Sequence, residues 1–195
     1  MKKLLITGFE PFGGETVNPS WDAVCALPDK VGGYALTKLR IPVVFGEAAR
    51  CVINEAERIT PDVILCIGQA GGRAAITPEL VAINLKYANI PDNNGNEPKD
   101  EPVILGGDSA RFSTVPMRKI AEAINDAGIP SLVSYSAGAY VCNDVLYTLL
   151  DKYRDNDTKV GFIHVPYSKD QNKEPSMNIK DIVRGLEIAI ESLDE

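Results

Sequence analysis

Three residues far apart in the chain are of types that together perform nucleophilic catalysis: Cys142, His164 and Glu79. A cysteine sulfur attacks a carbonyl carbon, an imidazole moves the protons, and a carboxylate orients the imidazole and stabilises its charged form. The chain contains one histidine, so only His164 can supply a catalytic imidazole. These residue types favour the hypothesis of nucleophilic catalysis at a carbonyl group, provided that the fold brings them together.

The position of Cys142 favours a reactive thiol. It precedes an apolar stripe with helical spacing, which places it in or near the first turn of a helix; the stripe consists of Val145, Leu146, Leu149 and Leu150. The free N–H groups and the positive dipole end of a helix lower a thiol pKa and can hold an oxyanion. The alternative is a small, buried apolar residue. We assign the other cysteines to that class: Cys25, Cys51 and Cys66.

His164 and Glu79 adjoin apolar runs that indicate buried strands. His164 follows residues 160–163, at the carboxyl end of a strand, where α/β proteins place ligand-binding groups. Glu79 precedes the apolar residues 80–85, and a carboxylate buried there needs a donor such as an imidazole N–H. The alternatives are a structural histidine and a solvated glutamate at a strand end.

Two glycine-rich segments could form the walls of a binding pocket. Residues 68–73 read Gly-Gln-Ala-Gly-Gly-Arg, and glycines let backbone N–H and C=O groups approach a ligand closely. Residues 8–14 carry Phe9 and Phe12, which favour a stacking surface or an apolar pocket wall. Ordinary tight turns and a small cluster under a loop are the alternatives, since residues 68–73 lack the spacing of a dinucleotide-binding loop.

The elements that must position these residues alternate between strands and helices. Strand-length apolar runs occur at residues 4–7, 63–67, 132–134 and 160–163. Helical stripes occur at residues 46–59, after residues 113–114, and from residue 179 to 193. The alternation predicts the α/β class, with a twisted, mostly parallel sheet sandwiched between helices in three layers.

Two connecting regions are defined by their local chemistry. The helix after residues 113–114 has Ser113 and Thr114 as a hydroxyl cap, Pro116 in its first turn and Gly128 as its terminator. Residues 89–111 are polar and rich in turn formers, which predicts an irregular excursion.

The composition is typical of a globular protein. The 195 residues are 45% hydrophobic and 24% charged, and we expect a single domain spanning residues 1–195. The net charge of −7 disfavours nucleic acid and membrane surfaces as partners. The first apolar run is too short for a signal peptide or a membrane span, so we expect a cytoplasmic location and reduced cysteines. One histidine and scattered cysteines match no zinc-ligand spacing, and we expect no metal.

Five segments of the chain share their pattern with a known family. They are Thr7-Gly8-Phe9-Glu10-Pro11-Phe12-Gly13-Gly14 with Asn18-Pro19, then Gly72-Arg73-Ala74-Ala75-Ile76-Thr77-Pro78-Glu79, Ile90-Pro91-Asp92-Asn93, Tyr140-Val141-Cys142-Asn143, and Gly161-Phe162-Ile163-His164-Val165-Pro166-Tyr167. In this order and over nearly the whole length, the chain resembles the pyroglutamyl-peptidase I (pyrrolidone carboxyl peptidase) family of cysteine peptidases.

The resemblance implies a Cys-His-Glu triad at Cys142, His164 and Glu79. It also implies an α/β sheet between helices, a homotetramer, no metal or organic cofactor, and removal of an N-terminal pyroglutamyl residue from small peptides. The lactam ring of that substrate has apolar faces and one N–H and one C=O at its edge, and the following residues are expected to bind it: Phe9, Phe12, Asn18, Gln69, Ala70 and Arg73. Arg73 and the Cys142 backbone N–H are the expected oxyanion donors.

Two positions depart from the family pattern. Asn89 stands where many members carry arginine, and Tyr135 stands where asparagine is common. Tyr135 is expected to reshape the floor of the pocket. Two alternatives remain open, of which these departures motivate the first. One is a weakly catalytic or non-catalytic lactam-binding protein on the same scaffold, and the other is a cysteine amidase for another small cyclic amide.

Overall fold

Strands and helices alternate along most of the chain in the computed structural model, which describes residues 1–194. The strands are β1 (Lys2–Phe9), β2 (Lys30–Val31), β3 (Tyr34–Ile41), β4 (Val63–Gln69), β5 (Thr77–Pro78), β6 (Val81–Ile83), β7 (Ala110–Phe112), β8 (Lys159–Val165), β9 (Tyr167–Ser168) and β10 (Ser176–Met177). The helices are α1 (Pro19–Ala26), α2 (Glu47–Ile59), α3 (Met117–Asp126), α4 (Val141–Lys152) and α5 (Ile179–Glu191).

The main sheet has six strands in the order β2-β3-β1-β4-β8-β5. The inner strands β3, β1, β4 and β8 are parallel, whereas β2 and β5 pair antiparallel at the two edges. The predicted α/β class with a mostly parallel sheet is confirmed. Strands β1, β4 and β8 are apolar because helices cover both of their faces.

Two hydrophobic cores separate the sheet from its helices. Helices α1, α3 and α5 cover one face, and α2 and α4 cover the other. Side chains alternate between the cores along β8, so Ile163 enters the first and Phe162 the second. His164 is two residues after Phe162 and therefore lies on the face covered by α4.

Residues 132–134 do not form a central strand, contrary to the prediction. This segment makes only isolated bridges, in which Ser131 pairs with Ile76 and Ser134 pairs with Glu79. Leu132 is 57% exposed, since this segment pairs only along one side at the margin of the sheet. An apolar run of three residues is too short to distinguish a buried strand from such a segment.

The predicted helix after residue 114 is confirmed, but its predicted hydroxyl cap is wrong. Helix α3 follows Pro116 without a side-chain cap. The Ser113 hydroxyl instead donates to the Glu79 carbonyl at 2.6 Å, and Thr114 Oγ1 accepts the Val160 N–H at 2.7 Å. Gly128 ends this helix as predicted, in the left-handed region with φ of 81°.

The two other predicted helical stripes and the polar excursion agree with the structure, whereas helix α1 was not predicted. The stripes at 46–59 and 179–193 correspond to α2 and α5, the second continued by a 3₁₀ turn at Ser192–Asp194. Residues 89–111 are irregular until β7 begins at Ala110. Within residues 1–194, none of the helices has the length and apolar character needed to span a membrane.

Candidate active site

The imidazole of His164 is held by Glu79. His164 lies near the end of β8. In the pairing of β5 with β8, Thr77 lies opposite His164, and Glu79 is the first residue after β5. Nδ1 of His164 and Oε1 of Glu79 are 2.6 Å apart, and Glu79 is 0% exposed. A buried carboxylate accepts from a ring N–H, so Nδ1 carries the hydrogen and Nε2 is left as the proton acceptor. Glu79 is therefore not the solvated glutamate of the alternative interpretation.

Glu79 is ionised despite its burial. Burial alone would raise the pKa of this carboxyl group, but the hydrogen bond and charge of His164, and then the hydrogen bonds of Ser134 and Arg73, lower it below its ordinary value. Arg73 Nη1 lies 2.6 Å from the same oxygen that His164 contacts. The carboxylate thus carries the negative charge that an orienting group needs.

Cys142 is the second residue of α4, in the first turn as predicted. Its sulfur lines the same cavity as His164. The expected lowering of its pKa is not found, because burial raises the pKa of Cys142 to about 12, and the nearby Glu79 carboxylate adds to this effect. Burial also lowers the pKa of His164, so the resting pair is a thiol and a neutral imidazole.

The cysteine sulfur fits beside β4 because residue 68 has no side chain. A Cβ atom at Gly68 would lie 2.7 Å from Cζ of Phe162 and 3.1 Å from Sγ of Cys142. The Phe162 ring in turn packs against the His164 ring, with centroids 4.8 Å apart. Gly68 therefore leaves space for the Cys142 sulfur and for the Phe162 ring that packs on His164.

We expect Gly68→Ala to destabilise the protein by about 1–3 kcal/mol, the usual cost of overpacking, and to lower activity by displacing Cys142 and Phe162. Urea unfolding and the rate of substrate hydrolysis measure the two effects. Gly33→Ala is the matched control, since its Cβ would meet only Asp194 Oδ2 at 3.9 Å. Equal stabilities for the two variants would contradict the packing argument.

A cavity of about 330 Å³ opens above Cys142 and His164. Its lining includes all six residues that the sequence predicts for substrate binding: Phe9, Phe12, Asn18, Gln69, Ala70 and Arg73. Sequence reasoning missed several others, including Val43, Ser136, Ala137, Gly138 and Tyr140. Tyr140 was the detectable one, because it is an aromatic residue two positions before the cysteine.

Several of the predicted binding groups are already engaged within the protein. Asn18 is the N-cap of α1, where its Oδ1 accepts the Ser20 N–H, and its Nδ2 donates to the Glu10 carbonyl at 2.9 Å. The Ala70 N–H donates to the Val165 carbonyl, so it is not free to pair with a lactam. Asn18 keeps one amide hydrogen for a ligand.

The wall that contains Tyr140 is fixed by the excursion at 89–111. The Tyr140 hydroxyl donates to the Pro91 carbonyl at 3.0 Å, and its ring contacts Phe45 edge-on at 5.3 Å. Asp92 accepts the Phe45 N–H at 3.0 Å and is itself buried. The polar excursion therefore anchors an aromatic wall of the cavity.

Both departures from the family pattern lie outside this cavity. Asn89 is exposed and Tyr135 is 62% exposed, and neither lines the cavity. Tyr135 instead borders a second cavity beyond Arg73, where Arg118 stacks on its ring. The expectation that Tyr135 reshapes the pocket floor is wrong, because its side chain points outward and only its neighbour Ser136 reaches the cavity.

The four cysteines are free thiols with different environments. Cys66 is buried as predicted, and burial raises its pKa to about 12. Cys51 is partly buried, but Cys25 is exposed, which corrects its assignment to the core. Cys25 lies in the last turn of the short helix α1, where one apolar-looking position faces solvent.

Comparisons with known proteins agree over nearly the whole chain. The family model described as pyroglutamyl peptidase matches residues 2–195. The chain is 46% identical over 198 residues to pyrrolidone-carboxylate peptidase 1 of Streptococcus pneumoniae, covering 98% of this chain and 92% of that protein. It is 48% identical over 196 residues to pyrrolidone-carboxylate peptidase of Escherichia fergusonii, covering 97% and 92%.

Solved structures show the same likeness in three dimensions. The crystal structure of pyroglutamyl peptidase I from Bacillus amyloliquefaciens superposes with a TM-score of 0.95 at 43% identity, covering 99% of this chain and 97% of that one. Sequence and fold therefore agree in these comparisons. The chain belongs to the pyroglutamyl peptidase family.

Proposed function

We propose that the protein is a cysteine peptidase that hydrolyses the amide bond after an N-terminal pyroglutamyl residue. The observation that carries the proposal is the placement of Cys142 and His164 on one cavity, with Glu79 bonded to the far side of the imidazole. The names of its relatives, pyrrolidone-carboxylate and pyroglutamyl peptidases, supply the substrate class.

The cavity suits a small, uncharged ring. Phe9, Phe12, Val43 and Tyr140 provide apolar surface for the two faces of the lactam. Gln69 and Asn18 also line the cavity and have amide groups that can pair with the N–H and C=O at the ring edge. An ordinary peptide would bring a charged ammonium into this apolar space, and the cost of removing its water excludes it.

The first half of the reaction forms a thioester. The Cys142 sulfur attacks the pyroglutamyl carbonyl carbon while its proton moves to Nε2 of His164, and Glu79 stabilises the resulting imidazolium. Free N–H groups in the first turn of α4, including that of Cys142, stabilise the oxyanion. The imidazolium then gives its proton to the leaving amine as the carbon–nitrogen bond breaks.

The second half releases pyroglutamate. The neutral imidazole takes a proton from water, which attacks the thioester carbonyl, and the same proton returns to the Cys142 sulfur as the carbon–sulfur bond breaks. No step uses a metal or an organic cofactor. Because the thiol is protonated at rest, His164 acts as the base in both halves.

The pH dependence of kcat/KM should reflect the lowered pKa of His164. Burial favours the neutral imidazole. His164 should therefore still act as a base at pH 6.5, the ordinary histidine pKa, and activity should be lost only as the pH falls through the lower pKa of His164. The thiol contributes no alkaline loss below pH 9, since its pKa is raised to about 12. Rates between pH 4.5 and 9 at constant ionic strength test this, and an acid limb centred above pH 6.5 contradicts it.

A panel of pyroglutamyl, prolyl and glutaminyl amides tests the substrate class. We expect hydrolysis of the pyroglutamyl compound alone. Preference for a different cyclic amide would support the amidase alternative. Tight pyroglutamate binding without turnover and with an unreactive Cys142 would support the lactam-binding alternative, but Asn89 and Tyr135, which motivated it, lie away from the cavity.

The wider setting of the enzyme follows from its family. We infer that residues 1–195 form one catalytic domain, which is supported by the family match over residues 2–195. We also infer a homotetramer in the cytoplasm acting on small peptides rather than on nucleic acid or membranes. Sedimentation equilibrium decides the tetramer, and a monomer at micromolar concentration would refute it.

A further inference from the structure

The guanidinium of Arg73 is bound to three acceptors within the protein. Its Nη1 donates to Glu79 Oε1 and to Thr77 Oγ1, both at 2.6 Å, and its Nη2 donates to the Ser136 carbonyl at 3.1 Å. An arginine Nη1 has two hydrogens, so both are used here. Although Arg73 lines the catalytic cavity, its strongest contacts are with the protein.

Two of these contacts lead to His164. Oε1 of Glu79 accepts from Arg73 Nη1 and lies 2.6 Å from His164 Nδ1. The Thr77 hydroxyl, which accepts from Arg73, donates to the His164 carbonyl at 3.5 Å. Arg73 is therefore linked to His164 through both the imidazole ring and the main chain.

The shared oxygen gives this arrangement an electrostatic consequence. Protonation of His164 would place a second cation against the buried oxygen that Arg73 already contacts. Burial lowers the pKa of His164 first, and the charge of Arg73 adds to that lowering, whereas Glu79 opposes it. The Cys142 thiol of α4 also feels the charges of Glu79 and Arg73.

We propose that Arg73 is a positioning residue, which holds Glu79 ionised against His164 and keeps the imidazole in its neutral, proton-accepting form. It acts through Glu79 and Thr77 rather than by binding the lactam or the oxyanion, the two roles expected from the sequence. The effect on rate rests on the proposed function, whereas the effect on His164 does not.

The single histidine makes the proposal directly measurable. An NMR titration of the His164 ring reports its pKa without overlap from other imidazoles. In Arg73→Met the second cation is gone, and we expect the pKa of His164 to rise above the wild-type value. Arg118→Met is the matched control, since Arg118 contacts the Tyr135 ring and hydroxyl, and its titration curve should match wild type.

Kinetics provide the second readout. For Arg73→Met we expect kcat to fall about 10- to 100-fold, as when outer partners of a functional histidine are removed, with KM changed less than about twofold. The acid limb of kcat/KM should move to higher pH with the His164 pKa. An unchanged His164 titration overturns the proposal, as does a raised KM with unchanged kcat, which would mark Arg73 as a substrate-binding residue.

Arg73→Lys guards against a variant that does not fold. Lysine keeps a cation within reach of Glu79 but lacks the fork that also bonds Thr77 and Ser136, so kcat and the His164 pKa should lie between wild type and Arg73→Met. If Arg73→Met is unfolded, a His164 pKa and kcat equal to wild type in Arg73→Lys overturn the proposal. A wild-type protein inactive on pyroglutamyl amides refutes the proposed function alone, and the titration still tests Arg73.

Discussion

Replacement of Cys142 by alanine should lower kcat/KM for pyroglutamyl amides by about 10⁴-fold or more, because the variant has no nucleophile to form the thioester. This corresponds to about 5 kcal/mol of lost transition-state stabilisation. The side chain is small and lies at the cavity, so the fold and the affinity for pyroglutamate should persist. Hydrolysis rates together with calorimetric binding of pyroglutamate separate the two effects.

The matched control is Cys25→Ala, which removes an exposed thiol on α1. It should have the activity of wild type. Cys142→Ser keeps an oxygen in place of the sulfur but should remain nearly inactive, since a hydroxyl is harder to deprotonate. Wild-type rates in either Cys142 variant would falsify the thioester mechanism.

Replacement of Glu79 by glutamine should lower kcat by about 10²- to 10⁴-fold with little change in KM. Glutamine preserves the shape but not the charge, so it neither fixes the tautomer of His164 nor stabilises the imidazolium. It also leaves the Arg73 cation without its buried counter-ion. Steady-state kinetics measure the loss, and Glu47→Gln on the surface of α2 is the control.

The same variant has a signature in stability. The pKa of Glu79 is lowered from 4.5, so its ionised form stabilises the native state above that pH, and this contribution is lost as the pH falls through the lowered value. Urea unfolding at several acidic pH values should show this loss in wild type and not in Glu79→Gln. Identical pH dependences in the two proteins would argue against an ionised Glu79.

The sequence predicted those strands and helices whose apolar pattern matches the faces that are buried in the fold. Strands β1, β4 and β8 are apolar because the sheet is covered on both faces, and α2 and α5 carry regular stripes because one side faces that sheet. Residues 132–134 have the same apolar character at an uncovered margin. Their neighbours in space, which the sequence does not reveal, decide the difference.

The predicted hydroxyl cap of α3 failed for a related reason. Ser113 and Thr114 are good capping residues, but both hydroxyls bond to chain segments far away in sequence, at Glu79 and Val160. The sequence also did not predict helix α1, strands β2 and β3, or the antiparallel edge strand β5. Short edge strands such as β2 and β5 have only two residues each, too few for a periodic signal.

The structure brings the predicted site residues together, but the electrostatics around Cys142 differ from the prediction. Residue type, strand ends and family pattern identify Cys142, His164 and Glu79, and the cavity includes all six predicted binding residues. The first turn of α4 suggested a lowered thiol pKa, whereas burial raises it to about 12. Desolvation depends on everything packed around the sulfur, and no sequence motif encodes that sum.

The contrast between an exposed Cys25 and a half-buried Cys142 governs how alkylating reagents will behave. About one equivalent of a bulky maleimide should react at Cys25 without loss of activity, because the thiol that is labelled faster lies on α1, away from the cavity. The number of thiols labelled will therefore not match the fraction of activity lost, and peptide mapping is needed to show which cysteine has reacted. The same disparity makes Cys25 a ready attachment point for a fluorophore on a functional enzyme.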